Sequence, residues 1–263
     1  MPMPLPARTT RADLESLLRT RQLDRTLTTS LARRDTDTAS SDLTPLDAHL
    51  GGGFPRGHVS ELVGARSSGR TSLLLQLVAA ATRRGELVAL VDALDMFDVE
   101  SAAAAGVDLD RLLWIRGFVV TNPGLCRDMN QRALEQALRA FSLVLQARNF
   151  GLVVFDVAEA PASAIRRLPF TTWLRLQRMV EGSQTVCLLA GTEPMARSAA
   201  GLTVKCGVRT AEGGSRFTDR SFDGLDIDAS IHQSRIPAGD ARLPAPDSRR
   251  MSDVRVRLQT VCA

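Results

Sequence analysis

Residues 58–84 limit the folding options of this chain more than any other stretch. His58–Val63 (HVSELV) reads as a buried strand, and Thr71–Arg84 as a helix. Between them lies Gly64-Ala-Arg-Ser-Ser-Gly69-Arg70-Thr71-Ser72. A strand that passes through a glycine loop straight into a helix is the opening unit of a parallel α/β sheet. The glycine spacing also fits a phosphate loop: backbone N–H groups around the anion, a helix N-terminus behind it, and a hydroxyl for magnesium. Gly64, Ser68, Gly69, Thr71 and Ser72 match that pattern. Arg70 departs from it, because the position calls for lysine. Guanidinium is a planar fork and ammonium a compact point charge, so Arg70 would crowd the loop and tight ATP binding is not expected.

The rest of the middle region supports the same architecture. Leu87–Asp92, Leu112–Ile115, Leu152–Phe155 and Thr185–Ala190 read as short, fully apolar strands. Helical patterns separate them at Phe97–Ala105, Arg127–Arg148 and Thr171–Glu181. In the long helix Leu134, Leu138, Phe141 and Leu145 share one face. Strands apolar on both faces and separated by helices predict an α/β core over 46–208, with a mostly parallel sheet flanked by helices.

The two ends differ from this core. Residues 1–45 begin Pro-rich, then offer a capping signal at Thr10–Asp13 ahead of Leu14, Leu17 and Leu18. A short amphipathic helix is expected there, followed by a polar linker over Arg33–Ser41. Residues 209–263 lose periodicity at Gly213-Gly214, Pro237, Pro244 and Pro246. Only Val254–Leu258 alternates like a strand, and the tail is expected to be poorly ordered or partner-dependent.

Composition narrows the function classes. No run approaches eighteen apolar residues and the start lacks a signal-peptide core, so a cytoplasmic protein with no membrane partner is expected. Cys126, Cys187, Cys206 and Cys262 form no CxxC pair, and the three histidines stand apart, so no metal site is expected. The net charge of +4 is compatible with nucleic acid without specifying it. Lys205 is the only lysine among the 33 basic residues. That bias reads either as codon usage in a GC-rich genome or as selection for arginine.

A second acid bears on the loop. Asp156 ends the strand LVVFDVA, where such folds place the carboxylate that holds magnesium through water; the alternative is an Asp that caps a turn. Leu50–Gly64, the Ser-Ser-Gly-Arg-Thr loop and residues 88–117, including Gly-Val-Asp-Leu-Asp-Arg-Leu-Leu at 106–113, together resemble the RecA ATPase core. Glu135–Leu138 and the Asp156 strand continue the likeness, which covers roughly residues 45–208. The segment Arg167–Leu176 and the N-terminal helix look most like the ImuA-type proteins, RecA-like accessory factors of damage-induced mutagenesis.

By that resemblance the chain is a non-catalytic RecA-like scaffold in SOS-induced translesion synthesis. Its implied partners are ImuB, an error-prone C-family DNA polymerase, and further RecA and single-stranded DNA. RecA follows its second strand with Asp-Ala-Glu, whose glutamate activates water; here the residues are Asp92-Ala93-Leu94. A leucine cannot orient or deprotonate water, so no catalytic residue is assigned. ATP and magnesium are the ligands such a loop would take, yet with Arg70 and Leu94 in place no cofactor is assigned. Arg166 and Arg167 could meet a single strand through its phosphates, or be a solvated arginine pair. The loop after Thr192 is shorter than the mobile DNA loop the resemblance implies. The competing reading is a DNA-stimulated ATPase of recombinase type, which would need another carboxylate near the loop.

Overall fold

The computed structural model describes residues 38–117, 127–207, 225–234 and 252–258. Ten strands appear among them: β1 (Thr38–Ala39), β2 (Phe54–Pro55), β3 (Val59–Val63), β4 (Val88–Asp92), β5 (Leu112–Arg116), β6 (Leu152–Asp156), β7 (Val186–Gly191), β8 (Leu202–Gly207), β9 (Leu225–Ser234) and β10 (Ser252–Leu258). The helices are α1 (Thr44–His49), α2 (Arg70–Arg83), α3 (Val99–Ala104), α4 (Arg127–Ala147), α5 (Ala162–Ile165) and α6 (Phe170–Val180).

Eight strands form one sheet in the order β10-β9-β8-β3-β7-β6-β4-β5. From β8 to β5 all neighbours are parallel, whereas β9 and β10 run antiparallel beside β8. The α/β class with a mostly parallel sheet flanked by helices is therefore observed. Alternation along each strand splits the core into two layers. Leu90, Val154 and Leu188 pack with α2, while Val91, Val153 and Cys187 pack with α4 and α6. Because both faces are covered, β4, β6 and β7 read as apolar runs, whereas β3 carries buried Ser60 and Glu61. The predicted stripe of α4 is buried at Leu134, Leu138, Phe141 and Leu145, with Phe141 stacked at 5.0 Å from Phe155.

Two differences from the sequence reading have clear physical causes. The end of the expected 33–41 linker packs into the body: Ser41 is fully buried, and its N–H and hydroxyl both donate to Asp47 Oδ1, at 2.9 and 2.7 Å. Polar residues were legible as a linker, but Asp47 on α1 supplies partners that let them be buried. Beyond residue 208, β10 confirms the alternation at 254–258, and β9 is a strand the sequence reading did not anticipate. Its side chains at Ile227 and Ala229 are buried against β8 and the glycine loop. The predicted helix at Leu14, Leu17 and Leu18 lies outside the described residues, as do Cys126 and Cys262.

A buried ion pair lies at the other end of the sheet from the glycine loop. Arg56 Nη2 donates to Glu86 Oε1 at 2.7 Å, and Arg56 Nη1 to the Gln184 carbonyl at 2.7 Å. Arg84 also bonds the Glu86 carboxylate. Burial opposes ionisation of Glu86, but Arg84 and Arg56 together hold its carboxyl below the ordinary range.

Candidate functional site

The loop 64–69 lies at the C-terminal ends of the parallel strands, where open α/β sheets bind their ligands. Its shape depends on two glycines. A Cβ on Gly64 would lie 2.3 Å from Ser68 Oγ and 2.9 Å from the Cys206 carbonyl oxygen. Gly69 caps α2 in the left-handed region at φ +80°, and a Cβ there would meet Ile227 at 2.5 Å. The loop is thus floored by β8 and β9. Its first N–H, of Gly64, donates to the Gly191 carbonyl at 3.1 Å.

Arg70 takes an unexpected course from this loop. Its side chain is 6% exposed and turns back under the loop instead of outward. Nη1 donates to the carbonyl oxygen of Gly64, and to that of Gly191 at 3.3 Å. The cation that should meet a phosphate is already satisfied by backbone carbonyls.

A carboxylate then meets the two arginines of this segment. Glu159, in the turn after β6, accepts from Arg66 Nε at 3.0 Å and also from Arg66 Nη2. Its other oxygen lies 3.9 Å from Arg70 Nη2. Ser68 Oγ is buried with no hydrogen-bond partner.

Beside the loop is a cavity of about 160 Å³. Arg70, Thr71, Asp92, Leu94, Asp156 and Glu159 line it, as do Leu74, Leu75, Met96 and Phe97. Asp92 and Asp156 end adjacent strands in register. Burial pushes the Asp156 carboxyl up to about 6, the Ala158 N–H that donates to it pulls the other way, and Asp92 nearby raises it further. Leu94 is 4% exposed and brings no carboxylate to this wall. Asp95, the next acid, is tied to Arg116 by two bonds of 2.8 Å. That bidentate pair holds the Asp95 carboxyl below the ordinary range, which makes it a poor base.

The structure therefore brings Gly64, Ser68, Gly69, Arg70, Thr71 and Asp156 to one end of the sheet, while Ser72 is exposed on the first turn of α2. In this arrangement the residues do not fit a nucleotide's phosphates, since Arg70 Nη1 is engaged by backbone carbonyls and the Glu159 carboxylate lies next to Arg66 and Arg70. Among the described residues no group of three or more His, Cys, Asp or Glu could hold a metal.

Arg166 and Arg167 lie apart from the loop, between α5 and α6. Arg166 is paired with Glu193 at 2.6 Å, and Arg167 is exposed. Trp173 is a core residue at 3% exposure, and Phe170 packs beside that core. The segment after Thr192 is held against the body: Glu61, buried in β3, accepts from the N–H groups of Met195 and Ala196 at 2.7 Å each and from Thr203 Oγ1 at 2.8 Å. Sequence reasoning passed over Glu61, Arg66 and Glu159. A carboxylate inside the apolar run VSELV was the available signal for Glu61. For the other two no local signal exists, because 93 residues separate them.

Comparison with known proteins agrees with this architecture. The family model described as the RecA N-terminal domain matches residues 25–161, just over half of the 263. The RecA protein of Arthrospira platensis is 46% identical over 82 residues, 31% of this chain and 22% of that protein. RecA of Synechococcus sp. (strain WH7803) is 44% identical over 82 residues, covering 31% and 22%. RecA of Nostoc punctiforme is 46% identical over 81 residues, covering 31% and 23%. The matched stretch spans about a fifth of the length of these relatives. Among the described residues no helix is long and apolar enough to cross a membrane.

Proposed function

From a chain that belongs to the RecA N-terminal domain family, we propose a non-catalytic RecA-like scaffold acting in the response to DNA damage. The observation that carries this reading is the inward course of Arg70, which spends the loop's cation on the carbonyls of Gly64 and Gly191. A phosphoryl-transfer site works by holding charge and an activated water in fixed positions. Here the cation is engaged elsewhere, Leu94 stands where RecA has glutamate, and Asp95 is committed to Arg116. Losing a single preorganised electrostatic group slows catalysis by about 10²–10³, so two such losses leave turnover negligible. Binding of a nucleotide at Gly64, Ser68, Gly69, Arg70, Thr71, Ser72 and Asp156 is at most a residue of ancestry.

The finer role is translesion synthesis under the SOS response, with the chain bridging ImuB and an error-prone C-family polymerase and contacting RecA. Its support is the ImuA-type resemblance together with a RecA-like body whose loop cation, Arg70, is bonded to backbone carbonyls. Direct contact with single-stranded DNA through Arg166 and Arg167 has weaker support, because Glu193 already neutralises Arg166.

ATP hydrolysis by the purified protein, with and without single-stranded DNA, tests the reading, with Arg70→Ala as the contamination control. No turnover above that control is expected. Turnover that disappears in Arg70→Ala would overturn the scaffold and restore the DNA-stimulated ATPase. Co-purification with ImuB and the polymerase then tests the partner assignment.

A further inference from the structure

We propose that Glu159 is the resident anion of the phosphate loop, a built-in carboxylate that takes the phosphate's place and keeps the loop shut against polyphosphate ligands. A loop of this geometry, at the N-terminus of a fourteen-residue helix, is an anion site by construction. In this chain a carboxylate of the protein already pairs with an arginine of the loop and approaches the arginine that follows it. One Glu159 oxygen takes both the Nε and Nη2 hydrogens of Arg66, on the loop itself, and the other lies within ion-pair distance of Arg70. Asp92, Asp98 and Asp156 line the same cavity, yet among the described residues none of them forms an ion pair with Arg66 or Arg70.

Two further features fit a closed loop. Arg70 is braced by the carbonyls of Gly64 and Gly191, so its charge is paired inside the protein without a ligand. Arg66 is 77% exposed and Glu159 23% exposed, so the latch sits at the surface and a competing anion can reach it. An incoming di- or triphosphate would have to displace Glu159 from Arg66. The inference goes beyond the scaffold reading and does not depend on it, since a hydrolysing enzyme could carry the same latch.

The test is binding, not turnover. Inorganic pyrophosphate is titrated by calorimetry into the full chain, into Glu159→Gln, and into the double variant Glu159→Gln/Arg66→Ala. Gln has the shape of Glu without the charge, and Glu159→Ala serves as a second opening variant should the first not fold. Glu159→Gln is expected to bind pyrophosphate about two- to fivefold more tightly than the wild type, the size of one solvent-exposed ion pair. The double variant should lose that gain. Equal affinity of wild type and both opening variants would overturn the latch and leave the scaffold reading standing. ATP turnover by the wild type would overturn the scaffold reading alone.

Discussion

The guanidinium of Arg70 donates to the carbonyl of Gly64, so the cation at the end of the phosphate loop bonds the residue that begins it. The contact makes Arg70 a structural member of the loop. Arg70→Ala removes two carbonyl bonds from a buried site, and the expected loss is about 1–3 kcal/mol of unfolding free energy. Urea denaturation with an unchanged m-value measures it. A variant as stable as the wild type would show that the loop holds its shape without Arg70.

Leu94→Glu would restore the residue that RecA has at this point. It places a carboxylate in a wall already shared by Asp92 and Asp156, where burial and like charge both oppose ionisation. The expected result is destabilisation by about 2–3 kcal/mol, without ATP turnover, because Arg70 and Glu159 still close the loop. Hydrolysis above the Arg70→Ala background in this variant would contradict the closed-loop geometry.

Asp156 makes stability depend on pH with a sign opposite to that of an ion-paired carboxylate. Its folded value, about 6, lies above the unfolded value of about 3.9. Its contribution is fully favourable below the unfolded value and is lost as pH rises through 6. Asp156→Asn keeps the oxygen that accepts from Ala158 and removes the charge. The variant should melt a few degrees higher than wild type at pH 7.5 and show little difference near pH 4. Melting curves at the two pH values decide this, and an equal difference at both would refute it.

The Arg56–Glu86 pair is almost completely shielded, at 3% and 1% exposure. Removing one partner of a buried pair leaves an uncompensated charge and typically costs about 3–5 kcal/mol. Arg84 also contacts Glu86, so Arg56→Met is expected at the lower end of that range. Chemical denaturation is the check, and a loss below 1 kcal/mol would mean that Arg84 alone compensates Glu86.

Ile227 on β9 is fully buried and packs on Gly69. Ile227→Ala should cost about 2–4 kcal/mol through the lost side chain and the cavity it leaves. The same change withdraws the floor of the loop, so protease cleavage near residues 64–69 should accelerate. Unchanged stability would show that β9 does not support the loop.

Local patterns made most of the core legible. Apolar runs of four to six residues marked the central strands, because a parallel sheet covered on both faces demands apolar side chains at every position. The stripe of α4 was legible for the same reason, as one helix face must meet the sheet. β9 was harder: Leu225–Ser234 mixes Asp226, Asp228 and His232 with apolar residues, as an antiparallel strand near a sheet edge can. Of the site, the glycine loop, Arg70 and Asp156 could be found from spacing, and Leu94 from the resemblance to RecA. The course of the Arg70 side chain could not, since a guanidinium on a helix N-terminus can point either way.

The sequence by itself determined the α/β class, the position of the glycine loop and the replacement of its lysine by Arg70. These follow from chemistry repeated at short range, where the strand and helix periods and glycine's missing Cβ leave few alternatives. Only the tertiary structure decided that Arg66 and Glu159 meet. The strands that carry them, β3 and β6, are separated by β7, and the order of strands in a sheet is a long-range property that no local pattern encodes. The contact between Arg66 and Glu159 therefore arises from sheet order, which brings two oppositely charged turns to the same end of the sheet.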